Sequence, residues 1–392
     1  MPTSKRLESF DLLRLFFVLL ALTAHFRVAQ GVGYELYKPT ATQGLNLVKL
    51  PYHITVTRTS MSVLLIVFGF MLEYVYARLW RAKGPLVVLE KMMTRTVICY
   101  LAFLALAGLA IYTQGGGTFK TYLGTSLFVY SEDGKAFLFK YYTFLIPVVF
   151  LLMWTRFKFG LLTELSVILI LVLLAEAVKA SGIALPNPFG LLGETFFGIG
   201  NKMGPSIIHS LVLVTFGGLA ASYTATRKLD VRAYLLIFLA LLSVASVGAE
   251  IYQLGADQFA ILMASTKTYR AHNSHVYFAF GVISFLCFWA VSWLIVWPLG
   301  SKVKEWISYY GGNTFIIFLY GNMLLFIFPQ VRTDGAAYFV ALAIFLSLSL
   351  ACVNIYDWAS KNLRLVMTYN TFIRLVIPKA IHFVLVTLHF MD

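Results

Sequence analysis

The apolar run DLLRLFFVLLALTAHF, residues 11–26, carries three ionisable side chains, Asp11, Arg14 and His25. Imidazole, with a free pKa of about 6.5, can take a proton from a hydroxyl at neutral pH and so make a poor nucleophile reactive. Guanidinium stays charged and offers carboxylates and phosphates a planar fork of donors. On an α-helix, the eleven residues from Arg14 to His25 make three turns plus about 20°. The two therefore share a face, about 16 Å apart along the axis, and Asp11 lies one turn from Arg14. Ionisable groups inside a membrane helix are costly and usually face a bundle interior or a wet cavity. The alternative is an Asp11–Arg14 pair at one headgroup boundary and a histidine at the other. His25 is the candidate general base.

Other groups carry weaker signals. Arg78, Arg81, Lys91 and Arg95 form a basic cluster able to hold phosphates, or simply lie beside anionic headgroups. Glu73, Glu164, Glu176 and Glu250 fall in or near apolar runs. Glu73 and Glu250 abut no obvious basic connection, which makes them the better candidates for a substrate pathway; structural pairing is the other role open to them. His272 and His275 in YRAHNSH (269–275) lack a third ligand for a metal. Tyr34, Tyr37, Tyr52, Phe119, Tyr122, Phe128 and Tyr130 could stack on sugars or form interfacial belts. QGGGTF (114–119) lacks the context of a phosphate loop, and His53, His209, His382 and His389 have no motif around them. Cys99, Cys287 and Cys352 lie far apart in apolar runs, as small core residues do.

The elements that must position these groups follow from composition. Of 392 residues, 60% are hydrophobic and 12% charged, and the mean hydropathy is +0.81. A soluble globule carries about 25% charged residues, so this chain is expected to be an integral membrane protein. The net charge of +14 is scattered in twos and threes, which argues against nucleic acid and for membrane topology. Asp11 and Arg14 interrupt the start of the first apolar run, so it reads as a span rather than a signal peptide.

Runs long enough to cross a bilayer fall at 10–28, 57–79, 96–113, 138–155, 160–178, 206–224, 233–252, 275–298, 312–330 and 336–357. A weaker stretch, 372–390, is interrupted by Arg374, Pro378, Lys379 and His382 and fits an eleventh span or an interfacial helix. Lys and Arg crowd the short joins, starting with Lys5 and Arg6, while the long loops are richer in Gly, Pro and aromatic residues. The positive-inside rule then places the N-terminus in the cytoplasm. The expected fold is all-α: one polytopic transmembrane helical bundle over residues 1–392, with about ten spans and an eleventh possible.

RLESFDLLRLFFVLLALTAHF (6–26) resembles the opening helix of the membrane acyltransferase family 3, in which an Arg and a His are separated by ten residues. VFGFMLEYVYARLW (67–80) is similar to the family's second span, with Phe68-Gly69-Phe70 where Ser-Gly-Phe is usual. KMMTRTVICYLAFL (91–104) resembles its basic entry into the third helix, keeping Arg95. GGNTFIIFLYGNMLLF (311–326) resembles a late span that often ends Tyr-x-x-His; here Tyr320-Gly321-Asn322 stands instead, closer to the subgroup that succinylates periplasmic glucans. The resemblance implies transfer of an acyl group, acetyl or succinyl, from cytoplasmic acyl-CoA to a hydroxyl of a periplasmic or cell-surface glycan or glycolipid. The expected setting is a bacterial inner membrane.

On that reading His25 is the base, and Arg14, oriented by Asp11, holds a polar part of the donor or shapes the floor of its tunnel. Arg95, with Arg78, Arg81 and Lys91 nearby, would hold the CoA phosphates. The donor is a substrate, and no bound cofactor or metal is implied. The rival is a secondary transporter or exporter using Asp11, Arg14, His25 and Glu73 as a pathway, although the sequence shows no paired repeats or broken helices. A non-catalytic scaffold is a third reading.

Overall fold

The computed structural model describes residues 7–30, 58–113, 117–128, 134–183, 186, 189–199, 205–330 and 336–387. Helix accounts for 87%, and no strand occurs among the described residues. Among the described residues, nine helices are long and apolar enough to cross a bilayer. They are α1 (Glu8–Ala29), α2 (Ser60–Lys83), α3 (Pro85–Thr113), α5 (Phe137–Phe159), α6 (Leu161–Ala180), α8 (Ile207–Thr226), α9 (Val231–Leu254), α11 (His275–Val296) and α14 (Ala336–Asn362). Between them lie the shorter α4 (Phe119–Ser126), α7 (Phe189–Phe197), α10 (Ala256–Ala264), α12 (Ser301–Gly312) and α13 (Thr314–Leu324). At the end stand α15 (Arg364–Thr371) and α16 (Ile377–Thr387), joined by a π-helical turn, Phe372–Val376. The chain is a multi-pass, all-α membrane protein.

Local chemistry sets the joins. Gly84, at φ +82°, ends α2 in a conformation that costs other residues a steric penalty, and Pro85 opens α3, where its missing N–H is no loss. The Asp230 carboxylate accepts from the Ala233 N–H to start α9, and Ser274 does the same for Val276 at α11.

The expected span 312–330 is not one membrane-length helix. Its helical part, α13, has 11 residues, about 16 Å of rise against a hydrocarbon core of about 30 Å. The chain breaks between α12 and α13 at Asn313, whose Nδ2 donates to the Tyr309 carbonyl at 2.8 Å. Gly311 and Gly312 precede the break and favour helix weakly. The weak stretch 372–390 is helical over its described residues, which end at Thr387, and is not among the nine.

Two compact units make up the chain: residues 1–69 with 226–354, and 70–225 with 355–392. In the first, α1 packs against α11, α12 and α13. Phe10 meets Phe285 and Trp289 edge-on at 6.2 Å, and Phe26 stacks on Phe345 of α14 at 5.0 Å. Gly311 lets α12 lie directly on α1, since a Cβ there would fall 2.5 Å from the Asp11 carbonyl oxygen. Gly321 gives Leu22 the same access to α13, its missing Cβ lying 2.7 Å from that side chain. In the second unit α5 packs against both α3 and α6. Trp80 and Phe157 stack there at 4.9 Å and 9°.

Candidate functional site

The first unit gathers Asp11, Arg14 and His25 with two residues of α13. Arg14 Nη1 lies 3.5 Å from the Asp11 carboxylate, and Nη2 donates to Thr314 Oγ1 at 3.1 Å. Eleven residues further along α1, His25 Nδ1 sits 2.6 Å from Asn322 Oδ1. The starts and the ends of the two segments meet in turn, so α1 and α13 run parallel. Asp11, Thr314 and Asn322 are buried, Asn322 completely, and Arg14 and His25 are half-buried. The common face read from spacing is therefore present, turned toward α13 rather than toward lipid.

The hydrogen bonds assign the histidine tautomer. Asn322 Nδ2 donates to the Phe318 carbonyl at 2.7 Å, which fixes the amide so that its oxygen faces His25. An oxygen can only accept, so Nδ1 carries the proton and donates. In the neutral ring the lone pair is then on Nε2. The Phe318 ring, 5.7 Å from the imidazole, packs beside it. A base whose second nitrogen is held by a buried acceptor is oriented for proton abstraction at the first.

Asn322 and Thr314 are the partners that spacing alone missed. The available signal was a single amide inside the apolar run TFIIFLYGNMLLF, since a buried polar group needs a partner.

In the second unit Glu73 is ion-paired, the second of the two roles open to it from the sequence: its carboxylate lies 2.6 Å from Arg156 and 3.6 Å from Arg81. Arg156 also reaches Glu164 at 3.6 Å. A π-helical stretch, Leu72–Ala77, begins one residue before Glu73, an insertion of the kind that re-aims side chains at functional positions. Glu250, in the first unit, accepts the Tyr269 hydroxyl at 2.5 Å. Burial and that carboxylate push the Tyr269 phenol above its usual range.

The basic cluster is dispersed in its engagements. Arg78, Arg81, Lys91 and Arg95 are all exposed. Arg78 lies over the Tyr74 ring at 4.1 Å, and Arg81 turns toward Glu73. A cavity of about 540 Å³ opens instead between α3 and the C-terminal helices, lined by Glu90, Arg374, Pro378, Lys379, His382 and Phe383. His382 Nδ1 stands 3.5 Å from Glu90. Arg374 and Lys379, legible in sequence only as interruptions of a weak span, can bind anions there.

His209, without motif context in the sequence, joins a relay. Its Nε2 lies 2.8 Å from Glu176 and its Nδ1 2.6 Å from Ser206 Oγ. Ser206 is 1% exposed and also accepts the His209 N–H. These bonds tie the start of α8 to α6; a substrate has no approach to that hydroxyl.

Of the candidate sugar-stacking rings, Phe128 is taken up between Phe103 and Phe144, at 5.5 and 4.9 Å. Phe119 is exposed. Tyr34, Tyr37, Tyr52, Tyr130, His53 and His389 lie outside the described residues, as does the first half of QGGGTF, residues 114–116. His272 and His275 are both exposed.

Comparison with known proteins finds no matching family model, no matching curated protein and no matching solved structure.

Proposed function

We propose that this chain is a membrane-bound O-acyltransferase of the family 3 type. It takes an acetyl or succinyl group from cytoplasmic acyl-CoA and passes it to a hydroxyl of a periplasmic or cell-surface glycan or glycolipid, working in a bacterial inner membrane. The observation that carries this reading is the His25–Asn322 hydrogen bond, which leaves Nε2 as the basic nitrogen on the face shared with Arg14. Nε2 removes the proton of the acceptor hydroxyl as its oxygen attacks the thioester carbonyl. The C–S bond breaks, the CoA thiolate leaves, and the imidazolium returns the proton to sulfur, so the ring ends as it began. Arg14, fixed by Asp11 and Thr314, is a positioning residue for a polar part of the donor. Arg374 and Lys379 add to Arg95 and Lys91 as contacts for the CoA phosphates.

The test is thiol release by purified protein from acetyl-CoA and, separately, succinyl-CoA, with and without mixed oligosaccharides. Acceptor-stimulated release that disappears in His25→Ala supports the assignment. Negligible release from both proteins with every donor removes it. In that case the Glu73–Arg156–Glu164 ion-pair network, with its π-helical stretch, favours a secondary transporter. Proteoliposomes would then show substrate-driven proton movement that Glu73→Gln abolishes.

A further inference from the structure

The cavity of the second unit holds two cations that no acidic group answers. Arg374 and Lys379 line it, and among the described residues neither makes a hydrogen bond or an ion pair. Arg81 and Arg156, in the same unit, are both held by Glu73. The single carboxylate in the cavity wall, Glu90, has His382 Nδ1 3.5 Å from its Oε2. Its Oε1 stays open to a second donor. Arg374 itself lies within the π-helical turn Phe372–Val376, an insertion that occurs frequently at functional positions.

The depth of the cavity follows from α3. Between Thr96 and Thr113 that helix carries no charged residue, a rise of about 27 Å against a hydrocarbon core of about 30 Å. Arg95 marks one edge of this run, and Glu90 stands five residues further out, about 7.5 Å along the axis and so among the headgroups. The approach of His382 to Glu90 holds α16 at the same level. Neither α15 nor the π-helical turn buries a residue. Leu375, Phe383 and Val384 are exposed beside the cations, and Leu375 and Phe383 line the cavity itself. A basic helical segment with exposed apolar side chains lies in the membrane interface, where a phospholipid is its immediate neighbour.

We propose that this cavity binds the headgroup of phosphatidylethanolamine. The phosphate accepts from the Arg374 guanidinium and the Lys379 ammonium. The ethanolamine ammonium donates to Glu90 Oε1, and the acyl chains lie over Leu375 and Phe383. Each charge in the cavity wall then meets its opposite. A headgroup with negative charge alone would face the Glu90 carboxylate without a donor to offer it. The lipid and the phosphates of an acyl-CoA call on the same two cations, so each excludes the other. That exclusion rests on the acyl-transfer reading; the lipid site does not, and its test measures no acyl transfer.

Protein purified in maltoside micelles, which contain no phosphate, is titrated with radiolabelled phosphatidylethanolamine at constant ionic strength. The expected result is saturable binding. Phosphatidylcholine, whose trimethylated nitrogen has no N–H, should displace the label about tenfold less well, the scale of one lost charge-assisted hydrogen bond. Phosphatidylglycerol, which lacks the ammonium, should also be the weaker competitor. Arg374→Gln/Lys379→Gln weakens binding about tenfold or more. Glu90→Gln narrows the preference for phosphatidylethanolamine over phosphatidylcholine and leaves phosphatidylcholine binding as it was. Arg374 and Lys379 are exposed, so their variants should elute from size exclusion as wild type does. Equal displacement by the three lipids in wild type, or stronger displacement by phosphatidylglycerol, overturns the headgroup assignment without any variant. Binding that does not saturate, or that the Arg374→Gln/Lys379→Gln protein retains in full, overturns the site; the acyl-transfer reading stands or falls by thiol release alone.

Discussion

Replacing Asn322 by Ala removes the acceptor that lies 2.6 Å from His25 Nδ1 while leaving the imidazole in place. A neutral hydrogen bond contributes about 0.5–1.5 kcal/mol net, whereas a buried donor left without its acceptor costs about 1–3 kcal/mol. Converted at about 1.36 kcal/mol per decade, the second range is a factor of roughly 5–160. Loss of a positioned general base costs roughly 10²–10⁴-fold. Asn322→Ala should therefore lower acceptor-stimulated thiol release by about 10–100-fold, less than His25→Ala does. In the double variant the loss of the amide costs nothing further, because there is no imidazole for it to orient. Its rate should match His25→Ala to within about threefold, because residues acting as one unit are not additive. The assay is initial-rate thiol release at saturating acyl-CoA and acceptor, with folding verified by monodisperse elution and unchanged melting. A folded Asn322→Ala protein at wild-type rate would refute the assignment of Asn322 as the residue that sets the base. So would a double variant that multiplies the two single losses.

Further expectations follow from other contacts. Glu73→Gln leaves Arg156 with Glu164 at 3.6 Å in place of its 2.6 Å partner, and should lower stability by about 3–5 kcal/mol. The Glu73→Leu/Arg156→Met pair should recover most of that loss in detergent unfolding, and failure to recover it would mean the network does more than neutralise itself. Gly311→Ala places a methyl 2.5 Å from the Asp11 carbonyl oxygen; the overpacking should cost about 1–3 kcal/mol, read as a lower melting temperature. Arg374→Ala/Lys379→Ala removes two cations from the C-terminal cavity. It should raise the KM for acyl-CoA about tenfold or more with kcat unchanged, and a fall in kcat alone would remove the cavity from the donor site.

The helices were legible because membrane spans announce themselves. Every backbone polar group in lipid must be satisfied within its own helix, so long apolar runs bounded by basic joins leave few alternatives. The exception is instructive. Residues 312–330 satisfy an apolar-run criterion, yet the break at Asn313 depends on an amide reaching Tyr309 and on glycines that let α12 approach Asp11. Hydropathy averages over a window and does not register where one side chain competes with the helix or where two backbones must touch.

The candidate site divides along the same line. The common face of Arg14 and His25 is a property of one helix and its 3.6-residue period, so spacing was enough to find it. Which residues that face meets is a property of packing. His25 and Asn322 are 297 residues apart, and so no local rule connects them. What sequence does provide is a demand: a lone Asn in TFIIFLYGNMLLF, completely buried once folded, must find a donor or an acceptor. His25 makes the complementary demand from α1. Pairing such unmet polar groups between helices is a physical criterion of its own, and applied to this chain it joins 25 to 322 and 14 to 314. Applied to Glu73 it points to Arg156, at the end of α5. Spacing along the chain left Glu73 open to a pathway or a pairing role and could not name its partner, because a carboxylate in a bilayer is neutralised by whatever helix stands beside it.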